Sequence, residues 1–73
     1  MKPQVSIVVP AYEEEERLGG SVRRMLSYLD GSGLAAETIV VDDGSRDRTA
    51  EVAMEACAEF PNAATRVVRY ETN

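Results

Sequence analysis

A chain of 73 residues is at most one small domain, and a domain of this size buries only ~60% of the surface that its unfolded chain exposes. Thirteen acidic and eight basic residues give a net charge of −5, which argues against a nucleic-acid-binding surface. The chain has no histidine, so an imidazole base and a histidine-ligated metal are excluded. Its single cysteine, Cys57, excludes an internal disulfide.

The first element predicted along the chain is a strand over residues 5–9. Its sequence, VSIVV, is a short and nearly continuous apolar run that Pro10 stops, which is typical of a strand buried on both faces of a sheet. A helix is predicted over residues 13–29, where apolar side chains recur at helical spacing at Leu18, Val22, Met25, Leu26 and Leu29. Because Gly19 and Gly20 interrupt this pattern early, we expect the helix to bend there or to begin only after the pair.

The remaining elements continue this alternation of strand and helix. DGSG at residues 30–33 predicts a turn, TIVV at residues 38–41 predicts a second buried strand, and DDGS predicts a loop. Ser45 or Asp47 is expected to cap a second helix. The apolar stripe of that helix consists of Val52, Ala53, Ala56, Cys57 and Phe60. Pro61 and Asn62 end it, and residues 65–70 form a third strand. The order βαβαβ predicts an α/β fold with a parallel sheet and right-handed crossovers.

Two loops are expected to form a binding crevice at the carboxyl edge of this sheet, because ligands bind there in open parallel sheets. The loop PAYEEEE after the first strand carries Pro10, Tyr12 and Glu14, and the loop after the second strand carries Asp42 and Asp43. Two adjacent carboxylates repel each other, so folding alone does not account for the pair. An aromatic ring together with carboxylates suits a nucleoside, since a carboxylate accepts hydrogen bonds from a base N–H or from ribose hydroxyls.

The segments VSIVVPAYEEEERL and IVVDDGSRDRTAEVA together resemble the start of an inverting family-two glycosyltransferase with the GT-A fold, a Rossmann-like α/β domain. The similarity is greatest to the branch that transfers glucose or mannose from a nucleotide sugar to dolichyl or another polyprenyl phosphate. The resemblance implies six positions at the nucleotide sugar: Pro10, Tyr12, Glu14, Val41, Asp42 and Asp43. Asp43 is the carboxylate expected to bind the base edge. The family usually has Asn where this chain has Glu13.

The resemblance also implies parts that these residues lack. The family's metal-binding Asp-x-Asp, its catalytic base and its acceptor site come later in the chain. We therefore interpret residues 1–73 as the N-terminal, nucleotide-sugar-binding part of a glycosyltransferase domain, truncated before the metal-binding and acceptor half. No catalytic residue and no metal ligand is expected within it, and by itself it should not catalyse. The full-length enzyme is expected to use Mg²⁺ or Mn²⁺ and to be cytoplasmic or at the cytoplasmic face of a membrane.

Two other interpretations stay open. A receiver-like domain also places paired aspartates after an apolar strand, although there the pair follows the first strand and a lysine comes later, whereas Lys2 is the only lysine here. A non-catalytic α/β binding module would use Asp42 and Asp43 only to cap a loop. The donor base is also undecided, because uracil and guanine both offer an N–H that Asp43 could accept. The resemblance favours UDP-glucose, with mannose next.

Overall fold

A computed structural model describes residues 4–71 and contains three strands and two helices in strict alternation. The elements are β1 (Val5–Ala11), α1 (Leu18–Asp30), β2 (Ala36–Asp43), α2 (Thr49–Ala58) and β3 (Ala64–Tyr70). The predicted βαβαβ order and the predicted α/β class are confirmed. Within the described residues no helix is both long and apolar enough to cross a bilayer.

The sheet has the order β1-β2-β3, and both strand pairs are parallel. The registers align Val9 with Val40 and Val40 with Val67. Side chains of α1 and α2 enter one hydrophobic cluster together with these three valines. Both helices therefore pack on the same face of the sheet, as two successive crossovers of the same hand require.

In the core, large side chains of α1 pack against small side chains of α2. Leu18, Val22 and Leu26 follow one another every four residues on α1 and are almost fully buried. Ala53 and Ala56 face them from α2. The small side chains of α2 allow close approach of the helices, and each buried leucine contributes about 1.5–3 kcal/mol by leaving water.

Helix α1 differs from its prediction at the start. It begins at Leu18, five residues later than predicted, and it includes the glycine pair in its first turn. Gly19 is buried at the helix crossing, where an added Cβ would lie 3.0 Å from Cγ1 of Val52 on α2. The expectation that the helix begins only after the pair was wrong. Gly19 is needed for close contact with α2. The glutamates before the helix donate their backbone N–H groups to side chains that follow β2.

The strands are longer than predicted, and the sheet is covered on one side. Strand β1 continues through Pro10 to Ala11, which is possible because β1 is an edge strand. Side chains on the face opposite the helices, which we call the open face, are left accessible: Val8 is 59% exposed and Tyr70 is 57% exposed. The expectation that the first strand is buried on both faces was wrong for the described residues. Strand β2 also continues through Asp43, so the aspartate pair belongs to the strand and not to a loop.

Candidate functional site

The two loops at the carboxyl edge of the sheet are joined directly. The backbone N–H of Glu13 donates to the side-chain hydroxyl of Ser45 at 2.7 Å, and the N–H of Glu14 donates to Oγ1 of Thr49 at 2.9 Å. These contacts connect residues more than 30 positions apart in the chain. The prediction that the loops after β1 and β2 lie side by side is therefore confirmed.

Asp47 adds a third connection between the loops. One carboxylate oxygen, Oδ2, accepts from the N–H of Glu15 at 3.4 Å, and the other, Oδ1, accepts both the N–H and the hydroxyl of Thr49. The hydroxyl of Thr49 is the main reason why the pKa of Asp47 lies below its ordinary value. Ser45, Asp47 and Thr49 thus accept the N–H groups of three consecutive residues, and we call these three side chains the loop clamp.

The clamp also clarifies how α2 begins. The helix starts at Thr49, and Arg48 at the N-cap position makes no side-chain capping bond. Asp47 instead binds the N–H of Thr49 from one residue farther out, at 3.0 Å. Ser45 holds the first loop and does not cap the helix. The guanidinium of Arg48 pairs with Glu55 on α2 at 2.8 Å.

The first carboxylate of the aspartate pair is buried. Asp42 has no exposed surface, and its Oδ1 accepts the N–H of Ser45 at 3.0 Å. Its second oxygen, Oδ2, has no hydrogen-bond partner among the described residues and lies 3.8 Å from Nε of Arg69. Arg69 also donates to the backbone carbonyl of Ser45 at 3.3 Å. Asp42 therefore anchors the second loop from the helix side of the sheet and is not accessible to a ligand in this arrangement.

The second carboxylate has the opposite environment. Asp43 is exposed, and because successive side chains of a strand alternate between faces, it lies on the open face. Val41 shares that face two residues earlier, and Pro10 is its register partner on β1. Tyr70 is the register partner of Asp43 on β3. The two neighbouring aspartates are thus separated by the sheet itself, which reduces their mutual repulsion.

The predicted site residues fall into three groups. Pro10, Val41 and Asp43 share the open face at the carboxyl edge. Tyr12 and Glu14 lie in the loop just beyond β1, with the Tyr12 side chain exposed and Glu14 half-buried. Asp42 is buried on the face of the sheet that the helices cover. The structure brings the first two groups to one edge and sets Asp42 apart from them.

Sequence reasoning missed the roles of Ser45, Thr49 and Arg69. The signal for the first two was present in the spacing S-x-D-x-T at residues 45–49, since short hydroxyl and carboxylate side chains readily accept backbone N–H bonds. Arg69 lies 27 residues after Asp42, so no local pattern connects them. Between residues 4 and 71 no three histidine, cysteine, aspartate or glutamate side chains are placed to hold a metal ion.

In open parallel α/β sheets ligands bind outside the carboxyl ends of the strands, which is where the two joined loops of this chain lie. The sequence profile described as "Glycosyl transferase family 2" matches residues 6–73. The chain belongs to this family.

Individual relatives agree with the family. The chain is 40% identical over 75 aligned positions to the human dolichyl-phosphate beta-glucosyltransferase, an alignment that covers 96% of the chain and 23% of the human protein. It is 38% identical over 69 positions to the undecaprenyl-phosphate 4-deoxy-4-formamido-L-arabinose transferase of Edwardsiella ictaluri, covering 94% of the chain and 21% of that protein.

A solved structure shares the fold. The crystal structure of glucosyl-3-phosphoglycerate synthase from Mycobacterium tuberculosis, in complex with Mn²⁺, UDP-glucose and phosphoglyceric acid, matches with a TM-score of 0.68 and 28% identity. The match covers 92% of this chain and 21% of that protein. The predicted GT-A fold is confirmed. The chain spans between a fifth and a quarter of the length of these relatives.

Proposed function

We propose that residues 1–73 form the nucleotide-sugar-binding part of a glycosyltransferase. The whole protein would transfer a hexose from a UDP- or GDP-sugar to a polyprenyl phosphate such as dolichyl phosphate, with inversion at the anomeric carbon. The observation that carries this proposal is the junction of the two loops, which gathers Pro10, Tyr12, Glu14 and Asp43 at the carboxyl edge of the sheet. The names of the polyprenyl-phosphate transferases among the relatives support the acceptor class.

The proposed contacts follow from side-chain chemistry. The exposed ring of Tyr12 offers an apolar face and a hydroxyl to the nucleoside, and Pro10 and Val41 offer an apolar surface on the open face. Asp43, which is exposed, accepts an N–H of the base. Asp42 serves the site indirectly, because its buried carboxylate holds the N–H of Ser45.

The choice of sugar follows the relatives' names, and the choice of base follows the hydrogen-bonding chemistry of Asp43. Glucose is favoured because the human relative is named a glucosyltransferase and the mycobacterial enzyme was crystallised with UDP-glucose. Mannose is the next choice. The Asp43 carboxylate can accept an N–H from uracil or from guanine, so the proposed donor is either a UDP-sugar or a GDP-sugar.

In the proposed reaction a phosphate oxygen of the acceptor attacks the anomeric carbon of the sugar. A new carbon–oxygen bond forms while the bond to the nucleoside diphosphate breaks on the opposite side, and the configuration inverts. This chain would bind and orient the nucleoside end of the donor. The catalytic base, the acceptor site and most ligands of a divalent cation would come from other parts of the protein. Since the acceptor is a lipid, the reaction would take place at a membrane surface, for which we propose the cytoplasmic face.

Binding and transfer measured on the full-length protein test the proposal. Calorimetric titrations with UDP, GDP, UDP-glucose and GDP-mannose, with Mg²⁺ or Mn²⁺ present, should reveal saturable binding of at least one donor and its nucleoside diphosphate. Radiolabelled sugar from that donor should then appear on dolichyl or undecaprenyl phosphate, and an unphosphorylated polyprenol is the matched negative control. A protein that binds none of the four ligands would exclude the proposed function.

A further inference from the structure

We propose that Thr49 is a positioning residue for the nucleotide site and acts through the backbone of Glu14. The inference rests on the proposed function and adds a residue that makes no contact with the ligand. Thr49 is fully buried at the first position of α2, and its hydroxyl lies 2.9 Å from the N–H of Glu14 on the other loop.

The hydroxyl of Thr49 is held in one orientation. It donates its proton to the carboxylate of Asp47 and accepts the N–H of Glu14 with a lone pair. Because both functions are in use, rotation about the Cα–Cβ bond of Thr49 would break two bonds at once. The acceptor for Glu14 is therefore fixed in space by α2, a rigid element of the fold, and not by a neighbouring loop residue.

Glu14 is held on its other side as well. Its carbonyl accepts the N–H of Arg17 at 3.0 Å and the N–H of Leu18 at 2.8 Å, where α1 begins. The N–H of Glu14 is thus hydrogen-bonded to the start of α2, and its carbonyl is hydrogen-bonded to the start of α1. This double attachment determines the direction in which the Glu14 side chain leaves the backbone, and it also limits the position of Tyr12 two residues earlier.

Backbone strain next to Glu14 makes this attachment necessary. Glu13 has a φ of 50°, in the left-handed region that residues other than glycine rarely adopt. Its N–H is held by Ser45 at 2.7 Å. Without the bonds of the loop clamp, residues 12–14 would relax toward ordinary backbone angles, and the nucleotide would have to order the loop on binding. Such ordering reduces affinity, which is why a preorganised loop binds more tightly.

The test compares Thr49→Val, Thr49→Ser and Thr38→Val in the full-length protein. Valine keeps the shape of threonine and removes the hydroxyl, whereas serine keeps the hydroxyl. Thr38 is the matched control, since it is also buried but lies on β2 before the carboxyl edge. Measurements are Kd for UDP and GDP by calorimetry, kcat and KM for sugar transfer, and thermal unfolding without ligand.

We expect Thr49→Val to weaken nucleotide binding roughly tenfold, from the unpaired N–H of Glu14 and the loss of loop order. KM for the donor should rise more than kcat falls. Thr49→Ser should bind within about threefold of wild type, and Thr38→Val should leave Kd unchanged. If Thr49→Val does not fold, Ser45→Ala gives the same test at the N–H of Glu13, with an expected loss of similar size.

Two results would overturn the inference, and they are distinguishable. If wild type binds a nucleotide and Thr49→Val binds it equally well while losing stability, Thr49 is only structural and the proposed function stands. If wild type binds neither nucleotide, the proposed function and this inference fall together. The positioning role is supported if Thr49→Ser retains nucleotide affinity and Thr49→Val loses it.

Discussion

Replacing the two adjacent aspartates one at a time should separate binding from stability. In the full-length protein, Asp43→Ala is expected to weaken nucleotide binding and to leave thermal unfolding almost unchanged. Asp42→Ala is expected to lower stability first and affinity only as a consequence. The reason is their placement on opposite faces of β2, where Asp43 is exposed and Asp42 has no exposed surface.

The magnitudes follow from the contacts of each carboxylate. Loss of a charge-assisted hydrogen bond that a base N–H donates to Asp43 costs about 1.5–3 kcal/mol of binding, or roughly 10- to 150-fold in Kd. An exposed substitution of this kind usually changes the free energy of unfolding by less than about 0.5 kcal/mol. Asp42→Ala removes the acceptor that lies 3.0 Å from the N–H of Ser45 and the anion that faces Arg69. An unpaired buried N–H costs about 1–3 kcal/mol of stability.

Calorimetric titration with UDP and GDP, combined with thermal and urea unfolding of the unliganded variants, provides the assay. Asp42→Asn is the matched control, because the amide retains an oxygen for the N–H of Ser45 and removes only the charge opposite Arg69. Its stability should lie between that of wild type and Asp42→Ala. The reasoning is refuted if Asp43→Ala loses stability at wild-type affinity, or if Asp42→Ala unfolds like the wild type.

Two further predictions concern backbone strain and the open face. Glu13→Asn should raise the free energy of unfolding by about 0.5–1 kcal/mol, since asparagine tolerates the observed φ of 50°, whereas Glu13→Val should lower it; urea unfolding of both variants checks the sign. The isolated chain of 73 residues should self-associate or be partly unfolded, because Val8 and Tyr70 on its open face are more than half exposed and a parallel sheet needs both faces covered. A monomeric sedimentation profile with a cooperative melt would contradict this second prediction.

The end of α1 and the start of β1 were predictable, whereas the start of α1 was not. Helical spacing of Leu18, Val22 and Leu26 depends on the local sequence, and so does the run of branched residues in β1. The predicted helix extended back to residue 13, and glutamate, which occupies residues 13–16, is a good helix former. In the structure the N–H groups of residues 13–15 bind Ser45, Asp47 and Thr49, more than 30 residues away in the chain. Such bonds override local propensity, and a local pattern can indicate the acceptor side chains but not the distant N–H groups that they bind.

The sequence by itself determined the element order, the parallel sheet and the edge at which the two loops meet. Those features depend on apolar periodicity and on the rule that successive parallel strands align their carboxyl ends. Only the tertiary structure decided on which face of the sheet each aspartate lies and which of the two is buried. Strand β2 continues to Asp43 because β3 pairs with it as far as Tyr70, and this extension turns Asp42 inward and Asp43 outward. Whether Asp42 and Asp43 point to opposite faces of the sheet depends on how far β2 stays paired with β3. That pairing is a contact between distant parts of the chain, so the local sequence does not determine it.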